Sequence, residues 1–123
     1  MATRDGLEKI LGPLEAEIMR VVWDCEPPVT PRQVLDQINE RRDQPLAYTT
    51  VMTVMTRLAE KGLLGRTPAP RGWAYEPLVT DAASIAVRDV MRDFGEAAVA
   101  HFLAESRADP KLRRRLQKLL DED

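Results

Sequence analysis

Between Thr49 and Thr56 the chain reads Thr-Thr-Val-Met-Thr-Val-Met-Thr, and Arg57 follows. Threonine hydroxyls donate and accept hydrogen bonds, and their methyls pack on the thymine methyl. Arginine forks onto guanine or a phosphate. Such a set suits contact with a nucleic-acid surface. Six of these eight residues are β-branched, which by propensity favours a strand. The period overrides propensity, because Val51, Val54, Met55 and Leu58 fall at i, i+3, i+4 and i+7, the buried stripe of a helix. At about 100° per residue, Thr49, Thr53, Thr56 and Glu60 then face away from Val51, Met55 and Leu58, with Thr50, Met52 and Arg57 at the flanks. An exposed threonine costs a helix a few tenths of a kcal/mol against alanine. Helix stability therefore does not account for this face, whereas contact with base edges and phosphates does. The bland alternative is an ordinary solvated helix face.

Arg66 and Arg71 form a second basic group, on a segment with the signals of a β-hairpin. Leu63-Leu64-Gly65-Arg66-Thr67 and Trp73-Ala74-Tyr75-Glu76-Pro77 flank the turn-forming run Pro68-Ala69-Pro70-Arg71-Gly72. Arginine at the tip of such a hairpin suits a minor groove or the flanking backbone. Trp73 and Tyr75 alternate onto one face and are expected to cover the core. Arg113-Arg114-Arg115 is assigned to the solvated outer face of a terminal helix. Cys25 and His101 are the only residues of their types. No disulfide, cysteine-based zinc site or catalytic constellation can be assembled from them. The expectation is no enzyme, no metal and no cofactor, with Cys25 as a small core residue.

The elements that must position these groups are legible. Pro13 opens a helix whose apolar stripe is Leu14, Ile18, Val21, Val22 and Cys25, stopped at Pro27-Pro28. Thr30-Pro31 is an N-cap followed by proline at the first helical position, and Val34, Leu35 and Ile38 form the stripe of a second helix. Lys61-Gly62 ends the third. Three short helices followed by a hairpin give a mainly α fold with a small β-hairpin, the winged helix-turn-helix order. Thr80 is the expected cap of a longer helix carrying Ile85, Ala86, Val90, Met91 and Phe94. Another helix carries Ala98, Val99, Phe102 and Leu103, and Asp109-Pro110 caps a last one with Leu112, Leu116, Leu119 and Leu120 on one face.

These signals divide the chain into a DNA-binding head, residues 1–77, and a helical dimerisation region, residues 78–123. Forty-six residues rarely bury three amphipathic helices alone. Val90, Phe94, Phe102, Leu116 and Leu120 are therefore assigned to a homodimer interface. No stretch approaches the roughly 20 apolar residues of a membrane span, and Met1–Asp5 carries no apolar leader. A cytoplasmic chain without a membrane partner is expected. Net charge is −2, but residues 41–75 carry six cations against two acids, and residues 1–29 carry three against six. That local excess is the electrostatic footprint a phosphate backbone requires.

Leu46-Ala47-Tyr48-Thr49-Thr50-Val51-Met52-Thr53, with Arg57-Leu58 and Lys61-Gly62-Leu63, resembles the recognition-helix signature of the penicillinase-repressor (BlaI/MecI) family. Leu14-Glu15 and Val21-Val22-Trp23 match its first helix. His101-Phe102-Leu103 and the Leu112/Leu116/Leu119 stripe resemble its dimerisation region. The resemblance implies a dimeric repressor on a palindromic operator in double-stranded DNA, controlling genes of β-lactamase or cell-envelope stress type. It assigns operator contact to Thr49, Thr50, Thr53 and Arg57, with Tyr48 near the backbone. It also implies a sensor protease as partner, cutting an Asn-Phe bond in the tail. Here His101-Phe102 stands at that place, so a protease of the usual specificity is expected to cut poorly. Copper-responsive relatives carry Cys-x-Cys pairs near the C-terminus, and this tail has no cysteine. Two other readings are a winged-helix protein-interaction module and a small-molecule-responsive regulator of another winged-helix family. The threonine face and the basic hairpin favour DNA over the first, since a protein-binding face is more apolar or aromatic.

Overall fold

A computed structural model of the chain describes residues 6–122; Met1–Asp5, read above as lacking a leader, lie outside them. After a short 3-10 turn, Leu7–Lys9, come α1 (Pro13–Asp24), α2 (Pro31–Glu40), α3 (Tyr48–Glu60), β1 (Leu64–Ala69), β2 (Gly72–Pro77), α4 (Ala82–Phe94), α5 (Glu96–Ala108) and α6 (Pro110–Asp121). The described residues form two compact units, divided between Ile85 and Ala86.

In the first unit α1 and α2 start where their capping chemistry allows. Pro13 occupies the first turn of α1, and Gly12 N donates to Glu15 Oε1 at 3.3 Å. Thr30 caps α2 reciprocally: Gln33 N donates to Thr30 Oγ1 and Thr30 N to Gln33 Oε1, which satisfies two otherwise orphaned N–H groups. Asn39 then fixes the chain entering α3, since Leu46 N donates to its Oδ1 at 2.8 Å and its Nδ2 donates to Leu46 O at 3.2 Å. The start of the threonine face is thus set by a side chain of the preceding helix. Gly62, at φ 80°, closes α3, with Leu63 N donating to Leu58 O and Gly62 N to Ala59 O. A side chain there would be strained by its Cβ.

The core is aliphatic, with Ala16, Ile18, Met19, Val21 and Val22 of α1 packed on Val34, Leu35 and Ile38 of α2 and on Val51, Val54, Met55 and Leu58 of α3. Residues 49–56 are helical, as their period required. Cys25, the C-terminal cap of α1, is half-buried against this core.

β1 and β2 form an antiparallel hairpin with Ala69 opposite Gly72 and Leu64 opposite Pro77. Val29 adds a bridge to Tyr75, with two backbone hydrogen bonds of 2.8 Å, so the segment before α2 braces the base of the hairpin. Three helices and this wing make a winged helix-turn-helix. The core runs past residue 77: Val79, Ala82 and Ile85 are buried with it, and Trp23 Nε1 donates to Val79 O at 2.7 Å. The cap of α4 is Asp81, not Thr80, because Ser84 N donates to Asp81 Oδ1 at 2.8 Å.

The second unit holds the rest of α4 with α5 and α6. Asp109 Oδ1 accepts from Lys111 N and Leu112 N, and Pro110 opens α6. No residue of α6 is buried in the single chain.

Candidate nucleic-acid interface

The assigned α3 side chains stand on the side of the helix that the core leaves open. Thr49, Thr53 and Arg57 are exposed, and Tyr48 and Thr50 half-exposed. They divide into two edges. Thr49, Thr50, Thr53 and Arg57 line a shallow depression of about 290 Å³ with Leu14 of α1. Tyr48 and Met52 line a separate groove of about 470 Å³, whose other walls are the start of α2 and the wing tip, including Arg71 and Trp73. Hydroxyls and a guanidinium on one edge, and cations with aromatic rings on the other, can engage base edges and backbone together.

The wing differs from expectation at Trp73. Tyr75 is buried, but Trp73 is 42% exposed and covers no core. Trp73 pairs with Pro68, one step from the turn, where the hairpin has already left the helices behind. Its ring instead carries the guanidinium of Arg66 at 4.5 Å from the centroid. That contact holds one wing cation in place without neutralising it.

Salt bridges sort the cations that sequence counting pooled. Lys61 Nζ lies 2.8 Å from Glu15 Oε2, and Arg42 Nη1 2.8 Å from Glu17 Oε1, so both are engaged by α1. Burial pushes the Glu15 carboxyl up. The hydrogen bonds from Lys61 and Gly12 and the charges of Lys61 and Arg57 outweigh it and hold the group below its usual range. Arg57, Arg66 and Arg71 make no salt bridge among the described residues. The cations of residues 41–75 that make no salt bridge among the described residues are therefore Arg41 at the end of α2, Arg57 on α3, and Arg66 and Arg71 on the wing.

Sequence reasoning missed Arg32. It lies in the first turn of α2, exposed, with its guanidinium 4.9 Å from the centre of the Tyr48 ring. It fell outside the charge window that began at residue 41. Its signal was electrostatic, since a cation in the first turn opposes the helix dipole.

In the second unit Val90 and Phe102 line one apolar hollow of about 370 Å³ with Val87, Met91, Ala98 and Val99. Phe94 and Leu120 are exposed and Leu116 is half-buried. Val90, Met91 and Phe94, read above as part of the α4 stripe, are exposed in the single chain, whereas Ile85 of the same stripe is buried. His101 and Phe102 are exposed in the middle of α5, where Phe102 O accepts from Ser106 Oγ at 2.9 Å. Arg113, Arg114 and Arg115 are exposed on α6. Among the described residues no group of three His, Cys, Asp or Glu could hold a metal, and no helix is long and apolar enough to cross a membrane.

Residues 11–122 match the family model described as penicillinase repressor. The chain belongs to the penicillinase repressor family. It is 39% identical over 121 residues to the transcriptional regulator BlaI of Mycobacterium tuberculosis, in strains CDC 1551 / Oshkosh and ATCC 25618 / H37Rv, covering 89% of this chain and 84% of each relative. Its fold is similar to the complex structure of hsRosR-S4, with TM-score 0.52 at 15% identity, covering 96% of this chain and 93% of that one. The family match spans both the head and the tail, so the threonine face and the apolar tail lie inside it.

Proposed function

We infer that the chain is a sequence-specific DNA-binding transcriptional repressor that acts as a symmetric dimer on a palindromic operator. The observation that carries this reading is the solvent-facing side of α3. Thr49, Thr53 and Arg57 are exposed there, beside a wing whose Arg66 and Arg71 make no salt bridge among the described residues. Thr49, Thr50, Thr53 and Arg57 read bases in the major groove, while Tyr48, Arg66 and Arg71 hold the flanking backbone and set the register. Val90, Phe94, Phe102, Leu116 and Leu120 pair two copies. Membership of the penicillinase repressor family supports control of β-lactamase or cell-envelope stress genes.

The test is selection of duplexes from a random library on the full-length chain, followed by titration of the enriched sequence over a range of salt. The expected result is an inverted repeat, bound with a log K against log salt slope several units negative. No enrichment, or binding indifferent to salt, would overturn the reading.

A further inference from the structure

We propose that the groove between the first turn of α2, the start of α3 and the wing tip seats the sugar-phosphate backbone of DNA, with Arg32 as a positioning cation that no base contact requires. The inference rests on the DNA-binding reading above and adds a residue and a contact to it. The groove, about 470 Å³, has Arg32 and Arg71 in its walls with Tyr48, Met52 and Trp73, and no carboxylate lines it. Two guanidiniums facing a space free of acid attract an anion. A polymer of phosphodiesters alongside α3 supplies one.

No ion pair accounts for Arg32. It makes no salt bridge among the described residues. No acidic residue stands in the first turn of α2, and a cation there is disfavoured by the helix dipole. Its neighbour is the Tyr48 ring, 4.9 Å from the guanidinium. That contact orients the fork while leaving its charge uncompensated. Tyr48 opens α3, so the same ring links the cation to the helix that carries Thr49 and Thr53. Occupation of the groove by a backbone phosphate would thus fix the depth and tilt of α3 over the bases. The first helix of a helix-turn-helix generally crosses the DNA backbone, which is where α2 would bring Arg32.

The experiment compares full-length wild type with Arg32→Gln and Arg32→Lys. The probes are the duplex enriched by the wild-type chain and an unrelated duplex of the same length. Arg32→Gln keeps a long polar side chain and removes the charge. It should weaken both duplexes by a similar factor, on the order of tenfold, and make the salt slope shallower by about one unit per bound subunit. Arg32→Lys should keep the wild-type slope, whereas a role confined to packing on Tyr48 would leave the slope unchanged in Arg32→Gln as well. Coincident thermal melts establish that the exposed substitution leaves the fold intact. A wild-type slope in Arg32→Gln, or a loss confined to one base position, would overturn the proposal while leaving DNA binding standing. Absence of DNA binding by the wild-type chain would instead remove the reading on which it rests.

Discussion

Lys61 Nζ donates to Glu15 Oε2 at 2.8 Å, so the C-terminal cap of α3 is tied to the first turn of α1. The Glu15 carboxyl is held below its ordinary value of 4.5, because burial, which raises it, is outweighed by the Lys61 and Gly12 hydrogen bonds and by the charges of Lys61 and Arg57. A carboxyl depressed in the folded state stabilises above its unfolded pKa and loses that contribution as pH falls through the folded one. Glu15→Gln should therefore be less stable than wild type at neutral pH, by less than about 1 kcal/mol for a pair with one exposed partner. The gap should close as pH drops below 4.5. Urea titrations of both proteins at neutral and acid pH check this. A gap that persists unchanged in acid would show that the pair contributes nothing through its charge.

Reading and positioning should separate by mutation. Thr53 stands in the α3 depression with Thr49 and Arg57, whereas Arg71 is at the wing tip. Thr53→Ala should cost on the order of 1 kcal/mol and relax preference at one or two base positions. Arg71→Ala should weaken all sequences by similar factors. Binding assays on the enriched duplex and its single-base variants measure both. Unchanged affinity and unchanged preference in Thr53→Ala would remove α3 as the reader.

Most of the head was legible because its elements are periodic. Val51, Val54, Met55 and Leu58 specified a helix against the β propensity of the threonines around them, and burial of all four bears the period out. What escaped has no period. The Val29–Tyr75 bridge is a single pair joining residues far apart in sequence. Trp73 and Tyr75 alternate identically, yet only Tyr75 lies near enough to the hairpin base to be buried. Charge counting treated Arg42 and Lys61 like Arg57, and only folding brings Glu17 and Glu15 onto the first two. Arg32 escaped because its relation to Tyr48 exists only once α2 and α3 are packed. For the tail, the pattern located the apolar stripes. Direction was another matter, since inward for a stripe has meaning only relative to what covers it.

His101 and Phe102 stand in the middle of α5 at the place where the family resemblance puts an Asn-Phe cleavage bond. A sensor protease specific for asparagine should leave the wild-type tail largely uncut, and His101→Asn should raise the rate. Mass spectrometry of the fragments after timed digestion reports the bond broken. Efficient cutting between His101 and Phe102 in the wild-type chain would show that histidine is no obstacle.

The tail should hold two copies together. Phe94 is 66% exposed and Leu120 59%, on helices that bury little in the single chain. Burying these side chains on a two-fold partner stabilises by roughly 25 cal/mol per Å² of apolar area removed from water. Phe94→Asp is a cleaner disruption than Leu116→Asp, because Leu116 is half-buried in its own chain and its loss would also disturb α6. The head for comparison must extend beyond Pro77, since Val79, Ala82 and Ile85 belong to its core. Truncation after Arg88 keeps Ile85 within a helical turn. Two heads on one dimer bind half-sites about one or more turns of DNA apart, and the second engages at high effective concentration. Phe94→Asp and the truncated head should therefore sediment as monomers and retain weak, salt-sensitive binding to a single half-site. Both should lose affinity for the intact inverted repeat by roughly 100-fold or more. Sedimentation at micromolar concentration gives the mass, and a mobility-shift titration the affinity. A monomeric full-length chain, or a truncated head that binds the inverted repeat as tightly as the whole protein, would remove the dimer from the mechanism.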